Sequence, residues 1–172
     1  EFSSLSAGRL AELAVEAGLP PGVLNVIHGA GATVGVPLAQ HCDVDLLTFT
    51  GSSATGKQIM VSAGQSNMKR VMLECGGKSP YLVFEDCPDD LDVIAANIAG
   101  SAFGNQGEVC SAGTRLLIHE SMKDRLLPKV IEKAKAIVAR DPLDPSSTFG
   151  CMINEAHMEK VLRYIKSGEE EG

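Results

Sequence analysis

Apolar residues recur at Leu5, Leu10, Leu13, Ala14 and Ala17, the spacing of one helical face. Ser3, Ser4 and Ser6 are N-cap candidates for that helix, while Gly18 and Pro20–Pro21 mark its end. The pattern then shortens. Val23 to Ile27 (VLNVI), Asp45 to Thr50 (DLLTFT) and Arg70 to Glu74 (RVMLE) read as strands, with helices predicted over Thr33 to Gln40 and Ser52 to Ala63. Strand–helix–strand–helix–strand with short turns predicts an α/β fold with a parallel sheet and flanking helices. Gly76–Gly77 interrupts the pattern and is the best lobe boundary. Beyond it, Tyr81 to Phe84 and Thr114 to His119 read as strands. Further helices are expected from the Asp89–Asp90 cap to about Phe103, from Ser121 to about Arg140, and from Asn154 to Lys166. The acidic end GEEEG is expected to fray.

The chain has 172 residues, 44% of them hydrophobic, with a formal net charge of −7. That apolar content is enough to build a core and argues against disorder. An acidic chain without a Lys/Arg run lacks the footprint of a nucleic-acid binder. The most apolar stretch, Val93 to Phe103, is well short of the ~18 residues of a membrane span, so no membrane partner is expected. The five cysteines, at 42, 75, 87, 110 and 151, form no CxxC pair. A metal site is therefore not expected, and a reducing, cytoplasmic setting is. The residues after Glu1 carry no signal-peptide pattern.

Two strand-to-helix turns are rich in small residues. Gly29-Ala-Gly31-Ala-Thr-Val-Gly35 approximates a dinucleotide fingerprint, with one residue too many before its last glycine. It reads equally well as a plain turn. Gly51-Ser-Ser-Ala-Thr-Gly56-Lys57-Gln58 approximates a P-loop. Gln58 stands where a hydroxyl would hold Mg²⁺, and no Walker-B aspartate is evident. What the pattern supports is a phosphate at a helix N-terminus, whichever nucleotide carries it.

Glu74 ends an otherwise apolar strand, where α/β sheets bind ligands. It is a candidate general base if partly desolvated, or simply an exposed strand-end carboxylate. Cys110 lies among small and amide-bearing neighbours (GNQGEVCSAG). It is a candidate nucleophile, or a buried inert thiol. The other four cysteines fit the buried reading better.

Leu73-Glu74-Cys75-Gly76-Gly77-Lys78-Ser79-Pro80 and Phe103-Gly-Asn105-Gln106-Gly107-Glu108-Val109-Cys110-Ser111-Ala112-Gly113 resemble the glutamate and cysteine signatures of the NAD(P)-dependent aldehyde dehydrogenases. Phe49-Thr50-Gly51-Ser52 followed by Gly56 resembles the family's cofactor turn. The three occur in family order, and the resemblance extends over essentially the whole chain. Cys75 and Glu108 depart from the Leu and Gln common at those positions. A Glu at 108 brings a negative charge near the thiol.

The resemblance implies roles for these residues. Cys110 would be the nucleophile and Glu74 the general base. Gly51 and Ser52 would lie against the cofactor pyrophosphate, Gly31 and Gly35 on the adenosine side, the Cys75 backbone by the nicotinamide amide, and Glu1 near a ribose. It implies NAD as cofactor, with NADP the alternative, and a small-molecule aldehyde oxidised through a thiohemiacetal and a thioester. Residues 1–75 would be the C-terminal part of a Rossmann-like NAD-binding domain and residues 76–172 the N-terminal part of a catalytic domain. The fold would thus be aldehyde dehydrogenase-like but incomplete, a central piece with little activity alone. The full-length protein would be a homodimer or homotetramer. Ala54–Gln58, Ser66–Arg70, Asp86–Pro88 and Pro142–Pro145 resemble the gamma-glutamyl-aminobutyraldehyde type. A P-loop nucleotide-binding protein and a non-catalytic assembly module are the alternative functions.

Overall fold

The computed structural model describes residues 1–172, which divide into two compact units, Glu1–Cys75 and Gly76–Gly172. The first unit opens with α1 (Leu5–Glu16), closed by Ala17 N–H donating to the Leu13 carbonyl and by Gly18 at φ 96°. After a π-turn at Gly31–Gly35 come α2 (Val36–Gln40), β1 (Leu46–Gly51), α3 (Ser53–Gln65) and β2 (Arg70–Cys75). β1 and β2 pair in parallel, with Thr50 opposite Glu74 and Gly51 opposite Cys75. Alternation along β2 turns Leu73 and Cys75 toward α3 and leaves Met72 and Glu74 on an exposed face. α3 seats closely because Gly56 has no side chain. A Cβ there would lie 3.2 Å from the Leu73 side chain and 3.5 Å from Cys75 Sγ.

The second unit contains β3 (Pro80–Val83), α4 (Leu91–Phe103), β4 (Arg115–Ile118), α5 (Glu120–Lys135) and α6 (Glu155–Glu171), with a 3₁₀ turn at Gly104–Gly107. β3 and β4 are parallel, from Pro80 opposite Arg115 to Val83 opposite Ile118. The core packs β3 against α4 and α5: Val83, Leu91, Ala95, Ile98, Met122, Leu126 and Val130 are buried together. The Asp90 carboxylate caps α4 by accepting from Val93 N–H at 3.2 Å. Lys129 on α5 donates to Asp92 on α4 at 2.7 Å, which holds the Asp92 carboxyl below the usual range. That contribution is therefore full above the unfolded carboxylate pKa and fades as pH falls through the lower folded value.

Several elements differ from the sequence reading. The strand expected at Val23–Ile27 does not form. Val23 N–H bonds back to Pro20, Asn25 to Gly22, and Val23 and Ile27 remain exposed. A β-branched run becomes a strand only when paired with a partner edge, and this one is paired with none. The parallel sheet of the first unit thus has two strands, β1 and β2, where three were expected, and the second unit has its own parallel pair. α5 starts earlier than predicted because His119, not Ser121, accepts the capping hydrogen bond. It ends at Lys135. α6 runs through the acidic tail, with Lys166 paired to Glu170 one turn on.

The chain exposes 12617 Å². Two compact bodies sharing its 18.1 kDa would expose about 9,700 Å² even if fully separated. Met72, Leu82, Phe84 and Leu117, all in or beside the strands, are among the exposed side chains. The two-stranded sheets therefore leave apolar faces uncovered. No helix is long and apolar enough to cross a membrane.

Candidate functional site

In the first unit, chemistry gathers at the carboxyl end of the parallel pair. There β1 gives way to α3, and the register sets Glu74 and Cys75 beside Thr50 and Gly51. Ser52 is the N-cap of α3, and its side chain accepts from Thr55 N–H at 3.2 Å. The N–H groups of Ser53 and Ala54, in the first turn, have no intrahelical acceptor, which makes this end suited to an anion. Gly51 is glycine for a steric reason: a Cβ there would run into the Phe49 ring.

Beside this turn is a cavity of about 510 Å³, lined by Gly31, Gly35, Val36, Phe49, Thr55 and Ile59 among others. At Gly31 and Gly35 an added Cβ would face open space, so these glycines leave the wall bare. An apolar hollow next to a helix N-terminus fits an adenine ring with its phosphates, so the residues present suit a dinucleotide. Lys57 is exposed on α3, and Gln58 lines the hollow. Glu74 is exposed on the opposite sheet face, so nothing within this unit strips water from its carboxyl group. Cys75 is half-buried against α3. Glu1 stands exposed ahead of α1.

Sequence reasoning missed the brace behind this wall. Lys69 is buried at 7% exposure, with Nζ donating to the Ala39 carbonyl of α2 at 2.6 Å and to Ser66 Oγ at 2.9 Å. Asn67 Nδ2 donates to the Cys42 and Val44 carbonyls, and Met68 between them is held at φ 56°. A lysine in a polar stretch gives no sequence signal of burial. Lys69→Met should lower stability by about 1–3 kcal/mol in denaturant unfolding, because the Ala39 carbonyl loses its donor. A change below about 0.5 kcal/mol would contradict the brace.

In the second unit, Cys110 sits in a turn closed by Ala112 N–H donating to the Val109 carbonyl at 3.1 Å. Gly113 N–H donates to Ser101 Oγ on α4 at 3.2 Å, and Ala112 and Gly113 are buried. The turn is thus pinned just beyond the cysteine. Gly77 packs against it so closely that a Cβ would lie 3.1 Å from the Cys110 carbonyl oxygen. Arg115 Nε donates to the Lys78 carbonyl at 2.7 Å, lacing together the loops that precede β3 and β4. The buried-thiol reading fails for Cys110, which is exposed. It fails also for Cys42 and Cys151, likewise exposed, while Cys75 and Cys87 are half-buried. Exposure alone does not single out Cys110. Glu108 is not a free charge, since its carboxylate lies 2.8 Å from His157 Nε2 on α6. No group of three His, Cys, Asp or Glu side chains is placed to hold a metal.

The chain resembles known proteins over its full length. It is 52% identical over 172 residues to "NADP/NAD-dependent aldehyde dehydrogenase PuuC" of Escherichia coli strain K12, covering 100% of this chain and 34% of that protein. An indole-3-acetaldehyde dehydrogenase solved in complex with NAD+ superposes with a TM-score of 0.94 at 52% identity, over 99% of this chain and 34% of that one. The gamma-glutamyl-gamma-aminobutyraldehyde dehydrogenase of Burkholderia cenocepacia J2315 gives 0.93 at 51% identity, over 98% and 34%. The chain thus spans about a third of the length of these relatives. The pattern of the aldehyde dehydrogenase family matches residues 1–172 without interruption, and the chain belongs to that family.

Proposed function

We propose that this chain carries the nucleophile and the general base of an NAD(P)-dependent oxidation of an aldehyde to a carboxylic acid. The observation that carries the reading is the exposed Cys110 on a turn whose backbone is fixed from both sides. A fixed turn holds the Cys110 N–H in one place, where it donates to the oxyanion of the adduct. Cys110 Sγ attacks the aldehyde carbon, and the carbonyl oxygen takes the negative charge beside the Cys110 N–H. Bound NAD(P) supplies the hydride acceptor that converts this adduct into a thioester. Glu74 takes a proton from the water that cleaves the thioester, releasing the acid and restoring the thiolate. The proposed cofactor contacts are Gly51 and Ser52 to the pyrophosphate, Gly31 and Gly35 to the adenosine, the Cys75 backbone to the nicotinamide amide, and Glu1 to a ribose.

Residues 1–75 act in this reading as part of a cofactor domain and residues 76–172 as part of a catalytic domain. The substrate is an aliphatic or amino-aldehyde, the assembly a homodimer or homotetramer, and the setting cytoplasmic. The uncovered sheet faces support little turnover by the 172-residue chain alone.

Brief, dilute iodoacetamide followed by site-resolved mass spectrometry tests the nucleophile. Cys110 should label at least about fivefold faster than the likewise exposed Cys42 and Cys151, as a catalytic nucleophile does. Equal rates would remove the assignment and favour a non-catalytic assembly module. Calorimetry with NAD+ and with Mg-ATP separates the remaining alternative. NAD+ binding indifferent to Lys57→Ala is expected, whereas Mg-ATP binding lost in that variant would favour a P-loop protein.

A further inference from the structure

Three consecutive left-handed residues precede the Cys110 turn: Asn105 at φ 48°, Gln106 at φ 57° and Gly107 at φ 74°. Glycine adopts this conformation freely, but Asn105 and Gln106 do so only where surrounding contacts hold them. Within the loop Glu108 N–H donates to the Asn105 carbonyl at 2.9 Å, and further contacts come from a distant stretch of chain. Gly150 N–H meets the Gln106 carboxamide oxygen at 2.6 Å, in the amide orientation that pairs donor with acceptor. His157 Nε2 meets Glu108 Oε1 at 2.8 Å, with both side chains about two-thirds shielded from water. His157 is itself fixed at the start of α6, where its N–H donates to the Asn154 cap at 2.8 Å. A hollow of about 560 Å³, bordered by Gln106, Glu108, Met152 and Val161, lies between loop and helix.

We propose that His157 is a positioning residue for Cys110. Its ring anchors Glu108, and through Glu108 it keeps the left-handed segment and the Val109–Ala112 turn in the geometry that presents the thiol. The two groups lie 2.8 Å apart, so an amide N–H placed at position 157 has the same carboxylate within reach. The functional consequence rests on Cys110 as nucleophile; the anchoring itself does not.

The test compares His157→Leu and His157→Gln in the 172-residue chain, using hydrogen exchange and competitive alkylation of Cys110 against Cys42. Loss of one charge-assisted contact should speed exchange of the Glu108, Ala112 and Gly113 amides about fivefold in His157→Leu. Exchange in the core of α4 and α5 should not change. The Cys110-to-Cys42 labelling ratio should fall about threefold, and His157→Gln should restore both readouts to within about twofold. Unchanged loop exchange in the Leu variant would overturn the proposal. So would a uniform acceleration that includes Ala95 and Leu126, an unchanged labelling ratio, or failure of Gln to restore. If the unaltered protein labels Cys110 no faster than Cys42 while the exchange results hold, the aldehyde-oxidising reading fails and the anchoring stands.

Discussion

Cys110→Ala should abolish covalent catalysis. The variant is best read in a chimera that places residues 1–172 in the matching third of the Escherichia coli relative, whose 52% identity makes the exchange conservative. Turnover of an aldehyde should fall about 10⁵-fold, the scale seen when a nucleophile acting as part of a unit is removed. No thioester should be detectable by mass spectrometry after rapid quenching. The physical reason is that the other groups have nothing to act on: without a thiolate there is no tetrahedral adduct and no acyl group to hydrolyse. The effect should be free of unfolding. Cys110 is exposed, so removing its sulfur should change stability by no more than about 0.5 kcal/mol. Turnover within tenfold of the unaltered chimera would end the assignment.

Glu74→Gln should separate the two halves of the reaction. A positioned general base contributes about 10²–10⁴-fold, and here it serves only the water that cleaves the thioester. The first turnover should therefore keep its rate, giving a burst of about one product per site, while the steady state falls by about 10³-fold. Gln keeps the size of Glu, and position 74 is an exposed strand residue paired through its backbone to Thr50, so register should survive. Equal loss in the burst and the steady state would contradict a role confined to deacylation.

How much of this was legible beforehand differs by residue. The helix over Leu5–Glu16 and the cap at Asp90 were readable because periodicity and capping are local. So was the helix after Gly51, whose signal is the small-residue turn itself. Val23–Ile27 was not readable. Its β-branched composition says strand, but the outcome depended on an edge to pair with, which is information about the rest of the chain. The same holds for the cysteines. Sequence context ranked Cys110 by its neighbours, yet misjudged Cys42 and Cys151, because burial is a property of packing.

The sequence by itself determined the elements whose signals are local, such as α1, α3 and the Asp90 cap, the glycines that permit close approach, and the two signatures that place a carboxylate and a thiol in the chain. Only the tertiary structure decided three further things. It set the parallel register that puts Glu74 beside Thr50, buried Lys69 against the α2 carbonyl, and paired Glu108 with a histidine 49 positions away. Each of those joins groups distant in the chain, and their energies depend on separations that no local run of residues encodes.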